Sequence, residues 1–114
     1  MSQSGPSTFL LVDDRTVSSL EIAETWISRT RGLLFRTTLP DALLLRPCSS
    51  VHGAWMRVPL DVALLDAGYR VLAVHRLRPW GMTRPRHGVA AVLEAPASSF
   101  ERWGLAVGSR VAVG

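Results

Sequence analysis

The chain has 114 residues, of which 47% are hydrophobic and 19% charged, and its formal net charge is +4. This length fits one domain, and the composition excludes a disordered chain. The longest stretch without a charged side chain, residues 1–12, is shorter than the roughly 20 apolar residues of a membrane-spanning helix.

Cys48 is the only cysteine, which excludes an internal disulfide and a cysteine-rich zinc site. Residues 1–7 are small and polar and lack the basic start and apolar block of a secretory signal. We therefore expect a flexible N-terminus over residues 1–7, a single β-rich domain over 8–114 and a cytoplasmic location. We expect neither a cofactor nor a metal ion.

The first half of the chain mixes two kinds of pattern. Residues 8–12 and 17–22 are short β-prone runs, separated by a turn at Asp13 and Asp14. In the segment that follows, apolar side chains recur at helical spacing, which predicts one helix near residues 25–36.

After Pro40 the pattern changes to short apolar runs of strand length. These predicted strands cover residues 43–45, 51–56, 60–65, 71–77 and 89–93. Asp66, Ala67 and Gly68 separate two of them, and we expect a hairpin there with Gly68 at positive φ.

The C-terminal segment predicts a short helical turn and a last strand. Ser98 and Glu101 have the spacing of a capping box, so a turn over residues 98–103 should follow and stop at Gly104. Small or polar residues then alternate with valines up to Val113. Because strand follows strand with little helix between, we expect a mainly β (α+β) domain, namely a small antiparallel, partly closed β-barrel.

Five motifs resemble the domain of unknown function 192 family in their order and spacing. They are TRGLLFR (residues 30–36), SVHGAWMRVPLDVALLD (50–66), LRPW (77–80), VLE (92–94) and GLAVGSRV (104–111). The resemblance implies a small β-rich, barrel-like prokaryotic domain, and it implies no settled activity.

Asp61 is a carboxylate within an apolar run. On a strand it shares a face with Ala63 and Leu65, so it must find hydrogen-bond donors. Arg36, Arg57 or the backbone amides of a neighbouring loop are candidate donors. Asp61 is then either an anchor that ties the helix end to the sheet or the acid of a binding site.

Glu94 is a second carboxylate in an apolar setting. It could form an acid pair with Asp61, as in glycoside hydrolysis, or it could be a solvated or arginine-paired strand end. The candidate pocket or anchor residues are Arg36, His52, Trp55, Met56, Asp61 and Glu94.

Cys48, His52 and Met56 are spaced as a soft-ligand set that would suit copper. Four residues along a strand span about 13 Å, too far for neighbouring members of the set to share one ion. Core packing of Cys48 and Met56 is the alternative, and a nucleophilic Cys48 thiol is a further one.

No acidic residue occurs between Ala67 and Leu93, a segment rich in arginine. Its candidate anion-binding residues are Arg76, Arg78, Trp80, Arg84 and Arg86. A solvated connection is the alternative, and we do not expect nucleic acid as a partner because no recognised nucleic-acid-binding module is present.

These features favour a non-enzymatic module that binds a small ligand or a protein partner. The alternatives are a small enzyme with an acidic pocket around Asp61 and a weak binder of anionic partners through residues 70–86. The hydrogen bonds of the Asp61 carboxylate discriminate between them, because an acid whose oxygens are all matched by donors is not free for chemistry.

Overall fold

A computed structural model describes residues 8–23, 41–48, 58–78, 83 and 86–114. Within these residues the elements in chain order are β1 (Phe9–Val12), β2 (Arg15–Ser19), β3 (Glu21–Ala23), β4 (Leu43–Leu45), β5 (Leu60–Leu65), β6 (Val71–Leu77), β7 (Ala91–Pro96), α1 (Ser99–Trp103) and β8 (Val111–Val113). No helix in this part of the chain is long and apolar enough to cross a membrane.

The eight strands form two sheets, and the mainly β class is confirmed. The smaller sheet has the order β2-β1-β8 and is antiparallel throughout. The larger sheet has the order β3-β4-β7-β5-β6. Its β3–β4 pair is parallel, which differs from the all-antiparallel arrangement expected from the sequence. In the described residues these two sheets do not close into a barrel.

The predicted strand over residues 17–22 is in fact two strands in different sheets. β2 belongs to the smaller sheet and β3 to the larger one, and Leu20 between them is buried. The backbone N–H of Leu20 donates to the carbonyl of Thr8 and that of Glu21 to the carbonyl of Ala42. The segment that was predicted as one strand therefore supplies an edge strand to each sheet.

The predicted hairpin is confirmed, with β5 antiparallel to β6. Its turn differs from expectation, because the residue at positive φ is Tyr69 (64°) rather than Gly68. The side chain of Asp66 holds the turn, since Oδ1 accepts hydrogen bonds from the N–H groups of Gly68 and Arg70, both at 2.9 Å. This local acceptor offsets the cost of the left-handed conformation at a non-glycine residue.

Both faces of the inner strands of the larger sheet, β4, β7 and β5, are buried. Ala63 and Leu65 of β5 pack in one cluster together with Phe100 and Trp103 of the helix. The alternate residues of β5 pack in a second cluster on the opposite face, which also includes Leu43 and Val92. Because side chains alternate between the two faces, the position of a polar residue along a strand decides which of the two clusters it meets.

Two strands have bounds that differ from the predicted ones, and two predicted elements lie outside the described residues. β7 starts at Ala91 rather than at residue 89, and the final strand is confined to Val111–Val113 because residues 106–109 form a turn. The predicted helix near residues 25–36 and the predicted strand 51–56 lie outside the described residues.

Candidate functional site

Asp61 lies in β5, on the face that packs against α1, and it is 5% exposed. Its Oδ2 atom accepts a hydrogen bond of 3.0 Å from the backbone N–H of Phe100 in the first turn of α1. Its Oδ1 atom accepts one of 2.9 Å from Nε of Arg76, on the neighbouring strand β6. Both carboxylate oxygens are therefore engaged, one by the helix and one by the sheet.

The first turn of α1 is capped differently from the predicted capping box. Ser98 adopts a left-handed conformation (φ 74°) and makes no side-chain cap hydrogen bond, so that prediction was wrong. Its hydroxyl instead accepts a 3.4 Å hydrogen bond from Arg76. The carboxylate of Asp61 takes the role that an N-cap side chain would have, because it accepts from an amide of the first turn.

The predicted donors for Asp61 were Arg36, Arg57 or a loop amide. The structure supplies an amide from α1 and the guanidinium of Arg76, which the sequence placed among the anion-binding residues. Arg36 and Arg57 lie outside the described residues. The observed hairpin register places Arg76 directly opposite Asp61, and the sequence alone does not give that register.

Glu94 lies in β7, between β4 and β5, near the middle of the larger sheet. Its register partners are Leu43 on β4 and Val62 on β5, so it belongs to the second, aliphatic face. The same cross-strand row continues to His75 on β6, the edge strand. Because neighbouring strands are about 4.8 Å apart, Val62 separates Glu94 from His75.

Burial raises the pKa of Glu94 to about 7. The residue is 6% exposed, and no side chain or backbone group of the described residues forms a hydrogen bond or ion pair with its carboxyl group. A carboxylate without donors in an apolar setting favours its protonated form, which explains the direction of the shift. Near neutral pH this group can therefore both donate and accept a hydrogen bond.

Asp61 and Glu94 do not form an acid pair. Asp61 is opposite Ala95 in the β5–β7 ladder, whereas Glu94 is opposite Val62. Successive side chains of a strand point to opposite faces, so the two carboxyl groups face different sides of the sheet. A mechanism that requires both carboxyl groups at one substrate is excluded by this register.

The other candidate residues are only partly described. His52, Trp55, Met56, Trp80 and Arg84 lie outside the described residues. Arg78 and Arg86 are exposed, as is Arg76 in part, with 53% of its side chain accessible. Cys48 is half-buried, and it packs against the aliphatic cluster on the Glu94 face. Within the described part of the chain, no three potential ligands are grouped to hold a metal ion.

The structural comparisons find the same fold in two bacterial proteins. A protein of unknown function from Novosphingobium aromaticivorans has a TM-score of 0.75 at 24% identity, over 93% of this chain and 83% of that one. A Sinorhizobium meliloti protein, provisionally assigned as a transcription regulator, has a TM-score of 0.78 at 23% identity, over 94% and 92%. At these identities the similarity shows the fold alone.

Sequence comparisons give the family. A UPF0127 protein of Pyrococcus horikoshii is 30% identical over 82 residues, which cover 68% of this chain and 71% of the relative. A UPF0127 protein of Pyrococcus furiosus is 29% identical over 97 residues, which cover 81% and 84%. The model of the domain of unknown function 192 family, described as an uncharacterized ACR, matches residues 9–113. The chain therefore belongs to the domain of unknown function 192 (DUF192) family.

Proposed function

We propose that the protein is a non-enzymatic ligand-binding module and that its site is the aliphatic face of the larger sheet around Glu94. The observation that carries the proposal is the carboxyl group of Glu94, which is buried and has no hydrogen-bond partner among the described residues. Burying such a group without a partner costs free energy, and groups of this kind are concentrated at functional sites.

The residual exposure of Glu94 supports an accessible site. Every fully buried side-chain nitrogen or oxygen among the described residues has a hydrogen-bond partner. A carboxyl group without such a partner is therefore one that keeps some contact with accessible space. An opening that reaches a single polar group in an apolar wall is the usual form of a small-molecule site.

The composition of this face sets the chemical class of the ligand. Leu43 and Val62 flank Glu94, and the other members of the cluster are aliphatic. A matching ligand is mainly apolar and carries one group that pairs with a carboxyl, such as an amine, a hydroxyl or a carboxylic acid. The predicted pocket residues Arg36, His52, Trp55 and Met56 remain proposals as further parts of this site.

An enzyme is the second candidate, and the pKa of Glu94 is the observation that favours it. A carboxyl group whose pKa is about 7 is suited to proton transfer near neutral pH. Asp61, the acid that the sequence suggests for an enzyme, already accepts hydrogen bonds from Phe100 and Arg76, which weighs against its use as a base.

Ligand-observed and protein-observed NMR with matched fragments tests the proposal. Cyclohexylamine, cyclohexanol and cyclohexanecarboxylic acid share one apolar skeleton and differ in the polar group. We expect at least one to shift the amide signals of Leu43, Val62 and Glu94 in the native chain, and to lose binding in Glu94→Gln. Fragment binding to Glu94→Gln that is as tight as to the native chain, or no binding of any of the three fragments, contradicts the proposal. Chemical conversion of a fragment that depends on Glu94 favours the enzyme instead.

We also propose a cytoplasmic location, supported by the single cysteine of the sequence, which cannot form an internal disulfide, since disulfides are characteristic of oxidising compartments. Cell fractionation with an antibody to the native chain tests it, and recovery in the exported fraction would contradict it.

A further inference from the structure

Among the strands of the described residues, β6 is the last of the larger sheet, and one of its edges pairs with β5. At the start of the other edge, both backbone groups of Val71 are used, because its N–H donates to Ser109 and its carbonyl accepts from Gly108. Further along, three consecutive residues, Val74, His75 and Arg76, are exposed. Consecutive side chains point to opposite faces, so neither face covers this part of the strand.

The charged side chains in β6 and directly next to it in the sequence are all basic. Arg70 precedes β6, His75 and Arg76 lie within it and Arg78 follows it, and all four are exposed. The sequence has no acidic residue from Ala67 to Leu93. Asp61 offsets the charge of Arg76 through its ion pair, but Arg78 has no ion pair with any described residue.

We propose that the exposed edge of β6 binds an extended acidic polypeptide segment, which adds to the sheet as a further strand. Backbone hydrogen bonds would hold the added strand, and the flanking arginines would select its acidic side chains. This interaction surface is the outer edge of β6, and β5 lies between it and Glu94 on β7.

The length and composition of β6 suit strand addition. It has seven residues and no proline, so every residue has a backbone N–H group as well as a carbonyl. Residues 71–75 carry no formal charge, apart from the titratable His75. Natural edge strands are protected by charged side chains, and here the protecting groups are all basic.

A second copy of the chain is disfavoured as the occupant by its charge. Antiparallel pairing of two β6 edges would bring the Arg70 end of one strand toward the Arg78 end of the other. Like charges placed opposite each other destabilise a strand pair. The basic edge therefore opposes self-pairing and favours an acidic partner.

A short peptide that alternates Glu and Val, acetylated and amidated at its ends, is the probe. Titrated into the isotopically labelled full chain, it should shift the amide signals of residues 72–77 and slow their hydrogen exchange. The same peptide with Lys in place of Glu should bind at least tenfold more weakly. A version N-methylated at alternate residues should also lose binding, because it cannot complete the backbone ladder.

Two matched charge reversals locate the surface on the protein. Arg78→Glu should weaken the Glu-Val peptide at least fivefold and reduce the dependence of binding on salt. Arg86→Glu makes the same change in net charge but lies outside β6, toward the end of the sheet away from Arg78, since Ala90 bonds to the carbonyl of Leu65 and Leu65 is opposite Val71. It should weaken binding less than Arg78→Glu does, because it lies outside the strand that the peptide pairs with and salt screens exposed charges.

Several results would overturn the proposal. One is binding of the Lys-Val peptide as tight as that of the Glu-Val peptide, and another is the same loss of affinity in Arg78→Glu and Arg86→Glu. The others are peptide-induced shifts of amide signals outside β6, and dimerisation that protects β6 from hydrogen exchange without any peptide. Binding of random single-stranded oligonucleotides at this edge, with no peptide binding, would also overturn it. Glu94→Gln should retain peptide binding, so failure at one site is distinguishable from failure at the other.

Discussion

The carboxylate of Asp61 accepts a hydrogen bond from the backbone N–H of Phe100, 39 positions further along the chain. A strand residue therefore satisfies an amide that a helix normally pairs with its own N-cap side chain. The left-handed Ser98 before the helix makes no such side-chain bond. This long-range contact joins α1 to the sheet and accounts for a carboxylate within an apolar strand.

Removal of this carboxylate should destabilise the fold. Asp61→Ala leaves the N–H of Phe100 buried without an acceptor, and we expect the free energy of unfolding to fall by about 2 kcal/mol. Urea denaturation followed by circular dichroism measures the change. Asp14→Asn is the control, because Asp14 is exposed and at positive φ, a conformation that asparagine tolerates well. An Asp61→Ala chain as stable as the control would contradict the anchor role.

Arg76 should contribute less than Asp61, although the two form an ion pair. Its side chain is 53% exposed, so solvent screens the pair and Arg76→Gln should cost only about 0.5 kcal/mol. A double-mutant cycle with Asp61→Ala measures the coupling free energy. A loss from Arg76→Gln equal to that from Asp61→Ala would show that the ion pair, rather than the helix amide, carries the stabilisation.

Glu94 should make the stability fall as the pH rises. Its folded-state pKa of about 7 is above the ordinary value of 4.5, so the folded chain binds the proton more tightly than the unfolded chain. The contribution is fully present below pH 4.5 and is lost as the pH rises through about 7. The difference in unfolding free energy between the native chain and Glu94→Gln should change by on the order of 3 kcal/mol across this window.

The matched control is Glu101→Gln, because Glu101 is an exposed carboxyl on α1. Its difference curve against the native chain measures the effect of removing an exposed carboxyl group. A Glu94→Gln curve that follows the Glu101→Gln curve would show that Glu94 titrates like a solvated acid.

Replacement by alanine should destabilise the chain at one glycine and have little effect at another. Gly104 ends α1 at a φ of 69°, and an added Cβ would lie 3.2 Å from Nη2 of Arg15. Gly104→Ala should therefore cost about 1 kcal/mol. Gly68 is not at positive φ, and its Cβ would make only an ordinary 3.6 Å contact with Asp66. Gly68→Ala should be within about 0.5 kcal/mol of the native chain, and thermal denaturation compares the two directly.

The β5–β6 hairpin shows which structural features the sequence predicts and which it does not. Apolar runs and the Asp66–Gly68 turn were enough to predict both strands with their observed bounds. The partner of Asp61 was not predictable, because the register shifts between Leu64 and Leu65. Without that shift, the pairing of Leu65 with Val71 would have placed His75 opposite Asp61. A one-residue irregularity exchanges the side chains on each face.

The prediction of a capping box was wrong for a related reason. Ser98 and Glu101 have the correct spacing, but local spacing does not reveal that a distant carboxylate already reaches the first helical turn. The position of Glu94 required the same non-local information. Its place opposite Leu43 and Val62 depends on a five-stranded order in which β7 lies between β4 and β5. The β5–β7 register, which pairs Asp61 with Ala95 rather than with Glu94, places the two carboxyl groups on opposite faces.

The carboxyl carbon of Glu94, followed by 13C NMR through a pH titration of the native chain, tests the central claim most directly. A buried carboxyl group without a partner should titrate with a midpoint near 7. A midpoint at the ordinary glutamate value would mean that Glu94 is solvated or paired, and the ligand site proposed around it would then have no basis.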